Sequence, residues 1–461
     1  NVPDQEIRYK KLQQKVIDAG YDFISFVRSP GRVNLISEHT DYNGYQVAPI
    51  ALENDFVFAI GAKKSEKPLI SIQHLDSHQP DHFDPSLSIT EIAQPTKCWS
   101  MYVRAGFHAA QTYQSQQFKD DILLVGHGTV PLGSGLSSSS ALSCCSAFAF
   151  LSLSCQEIDT VKLAAIVAKS EATVAIEGGG MDQAVSLNAI AGKVSIINFN
   201  PLRFEQYRLP EGIKVAVFSS LKDSKKATSE SNFYNTRVAE CRAGCALLQK
   251  QLGAQKIEVK MCFDMQQMYQ KTSPSSMLQE TEELPEKITL KQLYETLEFE
   301  NLEEMMEQLF STQSKQKLLL NYSEDTELVI KSRLRHVYSE GFRAKMFERV
   351  LKQYDPKDDE DVMTAYSQLE ELINDSHRSC DLDYECSCNE LNTVIQEARK
   401  NGCFCARMTG AGMGGYAVGL LHEQDADDFL AKMKAYYQKR GVKNVDEVVF
   451  LTEAGQGASK V

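Results

Sequence analysis

Four stretches of this 461-residue chain hold residue types that could do chemistry together. The first is Pro131-Leu132-Gly133-Ser134-Gly135-Leu136-Ser137-Ser138-Ser139-Ser140-Ala141. A strand-like run, Asp121 to Val125, precedes it, and an apolar, alanine-rich run, Leu142 to Leu153, follows. Strand, glycine-rich turn and helix start together make an anion cradle. Glycines let the backbone approach a phosphate, the first helix amides point outward unpaired, and the helix dipole favours negative charge. No Gly-Lys-Ser/Thr ends the loop and no GxGxxG is present, which argues against a Walker A loop and against a dinucleotide site. The plain alternative is a serine-rich helix cap in a linker.

The second stretch, Pro30 to Gly44, packs Arg32, Glu38, His39 and Asp41 into ten positions just after a strand. Carboxylates and imidazole at this density suit a ligand rich in hydroxyls, since charged acceptors make the stronger hydrogen bonds. Taken alone, it could equally be a surface turn. The third pairs Glu171 with Asp182, eleven positions later and just past Gly178-Gly179-Gly180. One carboxylate could hold Mg2+ while the other meets a substrate hydroxyl, because Mg2+ takes one or two protein oxygens plus phosphate and water. A lone acidic pair is otherwise a solvated face. The fourth, Thr409 to Gly415, has four glycines in six residues and implies close backbone packing against a ligand or another loop, or else a tight hairpin.

The elements that must position these groups follow from periodicity. Residues 4–18 read as a helix with Ile7, Leu12, Val16 and Ile17 on one side. Phe23 to Val27 alternates as a strand ending in a turn at Ser29-Pro30-Gly31, and 47–60 and 68–73 look like further strands. A helix is expected over 159–176, capped by Asp159-Thr160 and ended by the three glycines. Strands follow at Lys193–Phe199 and Ile213–Ser219, with Pro201–Gly212 as a linker and domain boundary. The remainder is mostly helical, interrupted by a polar surface loop near 271–287. A helix at 389–400 and a strand at Tyr416–Leu421 flank the last glycine loop. There are no internal repeats. The chain is therefore expected to be α+β, in two halves that each contribute glycine-rich junctions: an N-terminal domain 1–205 and a C-terminal domain 206–461.

Hydrophobic content of 43% and charged content of 24% are those of a soluble globular protein. A net charge of -13 argues against nonspecific nucleic-acid or anionic-membrane binding, though a local cradle can still hold phosphate. The twelve cysteines are scattered, several in apolar runs (Cys144, Cys145, Cys155), which fits reduced thiols in an intracellular protein. Cys380, Cys386 and Cys388, with Cys403 and Cys405, lack the paired spacing of common zinc sites. No apolar run is long enough to span a bilayer. Asn1 opens a polar amphipathic segment in place of a signal peptide, and the missing methionine points to processing or trimming. A cytoplasmic protein is expected.

Pro30-Gly31-Arg32-Val33-Asn34-Leu35-Ile36-Ser37-Glu38-His39-Thr40-Asp41-Tyr42-Asn43-Gly44 resembles the galactokinase signature. Pro131 to Ala141 resembles the second motif of the GHMP kinases, and Thr409 to Gly415 their third. The motifs occur in family order, and the resemblance extends over nearly the whole chain. Within the family, Gly178 to Gln183, His336-Val337-Tyr338-Ser339-Glu340 and Tyr384-Glu385-Cys386-Ser387-Cys388 look most like N-acetylgalactosamine kinases and fungal galactokinases. That likeness explains the cysteine cluster without a metal.

The resemblance implies a two-domain GHMP kinase fold with the site in the cleft between domains. It implies ATP in the loop 131–141, with Gly133, Ser134, Gly135, Leu136, Ser137, Ser138 and Ser139 around it. Asp182 matches the catalytic aspartate, and Arg32 the partner that stabilises charge and keeps that aspartate ionised. Glu38, His39 and Asp41 match sugar-hydroxyl ligands, joined by Arg32, Gly179, Asp182 and Tyr234. Ser139 and Glu171 match the Mg2+ ligands, and Ser224 and Lys225 fall near a further nucleotide position.

Ser37 departs from the pattern, standing where the family has glycine. If that backbone needs φ > 0, the serine is strained by about 1–2 kcal/mol, which puts the geometry of Glu38 in question. The implied activity is phosphoryl transfer from ATP, with Mg2+, to the C1 hydroxyl of a galactose-type sugar, N-acetylgalactosamine or galactose. The alternative is a sugar and ATP sensor that regulates transcription through a partner protein. Such relatives lack a Ser-Ala element in the phosphate loop that Ser140-Ala141 preserves here. The Glu38-His39-Asp41 cluster speaks against mevalonate or homoserine as substrate. A monomer without nucleic-acid or membrane partners is expected.

Overall fold

Residues 22–64 fold back on themselves as a long antiparallel pair, β1 (Asp22–Asn34) and β2 (Pro49–Lys64). β2 reads as a nearly continuous apolar run because both its faces are covered. Phe58 and Ile60 point into the main core, while Val57 and Ala59 meet Leu12 and Val16 of helix α1 (Val2–Asp18). The computed structural model describes residues 2–76, 79–86, 99–114, 118–154, 157–174, 178–224, 230–310 and 322–461.

Further strands follow in chain order: β3 (Ile70–His74), β4 (Asp81–Phe83), β5 (Asp120–Gly128), β6 (Val194–Phe199), β7 (Leu202–Tyr207) and β8 (Ile213–Ser219). Later come β9 (Lys287–Thr289), β10 (Glu327–Val329), β11 (Cys403–Met408), β12 (Tyr416–His422), β13 (Val449–Thr452) and β14 (Ser459–Lys460). A six-stranded sheet runs β14-β1-β2-β5-β3-β4, antiparallel except where β3 meets β5. A four-stranded antiparallel sheet runs β11-β12-β8-β13. β6 and β7 form a hairpin, and β9 pairs with β10.

The helices that position the site are α2 (Ser100–Gln114), α3 (Ser138–Ser152), α4 (Thr160–Val174), α5 (Met181–Asn188) and α6 (Glu230–Gln251). After them come α7 (Lys331–Gln353), α8 (Asp359–Leu382), α9 (Asn389–Lys400) and α10 (Ala426–Gln438). α3 is apolar on nearly every side and is therefore buried, lying on β1 and β2 with α2 and α4 beyond it. Around the second sheet, α9 and α10 bury Leu391, Ile395, Phe429 and Met433. No helix of the described residues is long and apolar enough to cross a membrane.

Four local expectations are corrected. Ser29-Pro30-Gly31 is not a turn: β1 runs through it to Asn34, with an irregularity in its pairing between Pro30 and Arg32. Pro201–Gly212 is not an open linker, because β7 occupies 202–207 and positions 205 and 206 both lie inside it. The 271–287 segment is not a surface loop. It forms helical turns at Pro274–Met277 and Leu278–Thr281 that bury Pro274, Met277 and Leu284. On α1, Leu12 and Val16 are buried, but Ile7 and Ile17 are half exposed.

Candidate active site

The chain between β5 and α3 turns sharply because three residues are left-handed: Gly133 (φ 65), Gly135 (φ 77) and Ser137 (φ 60). Ser134 braces the turn, donating its hydroxyl to the Pro131 carbonyl at 2.6 Å and accepting from the Leu136 amide at 3.1 Å. Ser137 occupies the N-cap of α3, yet its side chain caps no helix amide. It donates instead to Oδ2 of Asp182. The first-turn amides of α3, which have no intrahelical partner, therefore stay available to an anion.

The C-terminal glycine loop packs against this turn, so of the alternatives weighed for it, contact with another loop is the one observed. A Cβ on Gly410 would lie 2.5 Å from the Gly135 carbonyl, and one on Gly415 would lie 2.4 Å from the Ser134 carbonyl. The Tyr416 amide donates to Ser134 O at 3.1 Å, and the Asn34 amide to Thr409 Oγ1 at 2.8 Å. A third segment joins them: the Ser224 amide donates to Gly133 O at 3.1 Å. The buried Ser224 hydroxyl has no hydrogen-bond partner among the described residues. Lys225 lies outside the described residues.

Asp182 sits on the first turn of α5, at the mouth of the cradle. Arg32 Nε pairs with its Oδ1 at 2.7 Å, and Arg32 Nη1 donates to Gly135 O at 2.5 Å. One guanidinium thus ties the aspartate to the phosphate loop. Arg32 is almost fully buried, whereas the Asp182 side chain keeps 23% exposure, enough for a substrate to reach it. Asp41 stands close by. Burial first, and then the negative charge of Asp182, push its carboxyl up to about 6. The amides of Tyr42 and Met181 oppose that rise. Gly179 is the floor beneath Asp41, since a Cβ there would lie 2.3 Å from Asp41 Cγ.

The other expected sugar ligands lie around this pair, though not all are free to meet a sugar. Tyr234 packs its ring 5.5 Å from His39 and 5.4 Å from Tyr42. Its phenol is raised well above the ordinary value by burial and then by Asp41 and Asp182. His39 Nε2 donates to the Ala411 carbonyl at 3.2 Å, so Nδ1 accepts from the Tyr42 hydroxyl at 3.0 Å. Burial, followed by His336, lowers the His39 pKa to about 3, and the ring is neutral. Glu38 is fully engaged: Asn34 Nδ2 and the Gly410 amide donate to it, and buried Arg407 reaches it at 3.3 Å. Its carboxylate anchors the C-terminal loop to the signature stretch. Ser37 has φ 73, the left-handed backbone that its usual glycine would suit, and His39 shares it at φ 63.

For the metal pair, the structure brings Glu171 to the base of α3. Its Oε1 accepts from Ser140 Oγ at 3.2 Å and its Oε2 from Gln183 Nε2 at 2.8 Å. The hydroxyl seen on Glu171 is thus that of Ser140, one residue beyond the expected Ser139, which lies beside it on the same first turn. Burial raises the Cys144 thiol, and Glu171 and Asp182 raise it further, so both carboxylates converge near this helix. A carboxylate beside serine hydroxyls is the oxygen donor set that Mg2+ takes, and the residues fit it. No group of three or more metal-ligating side chains occurs among the described residues, the cysteine cluster included.

Several participants escaped the sequence reading. Arg407 lies two positions before the glycine loop and Asn34 inside the signature stretch, so proximity to a motif could have flagged both. The family resemblance implies a nucleotide contact for Ser137, and its bond to Asp182 is long-range. Tyr42 lies in the signature stretch and Tyr384 opens the Tyr384–Cys388 motif, but nothing local pairs their hydroxyls, 2.6 Å apart.

Comparison with known proteins matches these regions. Residues 19–62 fit the galactokinase galactose-binding signature, 102–189 the GHMP kinase N-terminal domain, and 363–439 the GHMP kinase C-terminal domain. A galactokinase of Dictyostelium discoideum is 32% identical, over 99% of this chain and 95% of its own length. One of Saccharomyces cerevisiae is 28% identical, over 88% and 83%. The crystal structure of Lactococcus lactis galactokinase complexed with galactose has a TM-score of 0.71 at 23% identity, covering 98% of this chain and 100% of that one. A Methanococcus jannaschii mevalonate kinase gives a TM-score of 0.54 at 14% identity, over 94% and 99%. Both crystal structures share this two-domain α+β fold.

Proposed function

The chain belongs to the galactokinase family of the GHMP kinases, and from that premise we propose that it transfers the terminal phosphoryl group of ATP to the C1 hydroxyl of a galactose-type sugar. One observation carries the reading: Asp182 is shared between Arg32, which also holds the phosphate loop, and Ser137, which stands at the N-cap position of α3 with its hydroxyl turned to the aspartate. A proton acceptor and a phosphate cradle are thereby held in one rigid unit, and phosphoryl transfer needs mainly such positioning and charge stabilisation.

In this reading Asp182 accepts the proton of the anomeric hydroxyl. Arg32 faces both the aspartate and the transferring phosphoryl group, so charge that develops between them meets a fixed cation. The outward amides of α3 and the loop 131–137 hold the β- and γ-phosphates. Glu171 and Ser139, with Ser140 behind them, would hold Mg2+, which offsets charge on those phosphates when bound. Asp41 accepts from a sugar hydroxyl, while Glu38 and His39 keep the loops around the sugar in place.

The C2 substituent of the sugar is the finer part of the proposal, and we favour N-acetylgalactosamine alongside galactose. Of the three glycines before Asp182, Gly179 is filled by Asp41, whereas a Cβ at Gly178 would meet nothing within 4 Å. The side-chain-free run beside Asp182 is what supports room for an acetamido group. The protein is further proposed to act as a cytoplasmic monomer. Coupled ADP release with each sugar tests the whole reading. Sugar-dependent turnover supports the kinase, and sugar binding without turnover means a sensor. A kcat/KM preference for galactose above about tenfold, or 1.4 kcal/mol, rejects the acetamido choice.

A further inference from the structure

The segment His336-Val337-Tyr338-Ser339-Glu340 has no part in the chemistry above, yet it lies against the sugar-signature turn. His336 and Glu340 stand one helical turn apart on α7, on the same face, and both are fully buried. Glu340 Oε2 accepts the amide of Ser37 at 3.0 Å. His336 Nε2 donates to the carbonyl of Glu38 at 3.1 Å. Two side chains of one helix thus hold main-chain groups of two consecutive residues in one turn.

That turn needs holding. Ser37 and His39, on either side of Glu38, are both left-handed, a conformation that side-chain-bearing residues rarely adopt. Its internal bonds, Ser37 Oγ to Thr40 Oγ1 at 2.6 Å and Thr40 Oγ1 to Ser37 O at 2.9 Å, close the turn on itself without orienting it. Orientation comes from α7, backed by α8. Ser376 donates to Glu340 at 2.7 Å, Arg343 pairs with it, and Ser379 meets His336 at 2.9 Å.

We propose that His336 and Glu340 are positioning residues for sugar binding, clamping the main chain of Ser37 and Glu38 so that His39 and Asp41 keep their places. The inference rests on the sugar-kinase reading for its substrate and on the α7 contacts for the clamp. The clamp holds Ser37 and Glu38 directly and reaches the phosphate loop only through Glu38, His39 and segment 409–416, so its first effect falls on the sugar side.

Steady-state kinetics of Glu340→Gln separate the two sides. The galactose KM is expected to rise about tenfold, the scale of one charge-assisted hydrogen bond weakened, with the ATP KM within about twofold. A parallel rise in both constants, or no rise in either, overturns the proposal. Should Glu340→Gln not fold, His336→Leu must show the same split, and His336→Gln, which keeps an N–H donor, must restore the galactose KM. Hydrogen exchange gives a readout independent of turnover: the Ser37 amide in Glu340→Gln exchanges about tenfold faster than in the unaltered protein, and an unchanged rate rejects the clamp. If the unaltered protein phosphorylates no sugar, the kinase reading fails, and the exchange measurement alone decides the clamp.

Discussion

Replacing Gly179 by alanine should disable sugar phosphorylation while leaving nucleotide binding intact. A Cβ at 179 would lie 2.3 Å from Asp41 Cγ, and 2.4 Å from both Asp41 Oδ2 and the Tyr42 amide nitrogen. Unstrained carbon contacts begin near roughly 3.5 Å, so the Asp41 carboxylate and its supporting amide must retreat by about 1 Å. A displacement of that size in a group that positions the sugar costs about 10²-fold, equivalent to about 2.7 kcal/mol. Gly179 is not among the left-handed glycines, so the whole effect is steric. The assay is kcat/KM for galactose by coupled ADP release, with calorimetric ATP binding and a thermal melt on the same variant. Expected are a fall of about 10²-fold in kcat/KM and an ATP Kd within about twofold. Gly178→Ala is the matched control, because a Cβ there meets nothing within 4 Å. The reasoning is refuted if Gly179→Ala stays within about threefold of the unaltered enzyme, or if Gly178→Ala is equally damaging.

Asp182→Asn should lower kcat by at least about 10²-fold with sugar binding retained, the low end for a lost positioned base; near-normal turnover would exclude that role. Because the Asp41 carboxyl is raised to about 6, it is charged above that pH and protonated below it. The kcat/KM for galactose should then fall about tenfold per pH unit on the acid side, and the absence of an acid limb near pH 6 would count against Asp41 as an acceptor. The same shift has a stability sign. The native value lies above the ordinary 3.8, so the contribution of this group is greatest below about pH 4 and is lost as pH rises through 6. Asp41→Asn should flatten that dependence in denaturant melts. Gly415→Ala would place a Cβ 2.4 Å from Ser134 O at φ +79. It should weaken ATP binding at least about tenfold and spare galactose binding, whereas equal loss of both ligands would contradict the loop-on-loop packing.

Residues with a local backbone signature could be read from the sequence. Gly133, Gly135 and the serines after them announce a turn and a helix start, and both are there. Glycines 410–415 announced close packing, although only the fold could decide in favour of another loop. What could not be read was long-range. Arg407 and Glu38 meet across 369 positions, and His336 meets Glu38 across 298, with no periodicity to connect them. Ser29-Pro30-Gly31 was misread because Pro-Gly is a strong turn signal, and a bulged strand can still carry it. β7 is masked by Pro201 before it and Pro210 and Gly212 after it, which read as a linker, although Leu202-Arg203-Phe204-Glu205 alternates apolar and polar as a half-buried strand does. On α1, Ile7 and Ile17 were placed on the covered face, yet only the stripe at Leu12 and Val16 meets the sheet.

β14 pairs Ser459 and Lys460 with Arg28 and Val27 of β1, and Arg28 also reaches the Gln456 carbonyl. During synthesis at roughly 5–20 residues per second, the partner of that edge emerges on the order of 20–90 s after the edge itself. Throughout that interval β1 presents unpaired amides and carbonyls, a template for any extended segment nearby. The nascent phosphate loop likewise waits for residues 409–416 before it is braced. The sheet that carries the signature stretch is therefore completed only when residues 459–460 have been made.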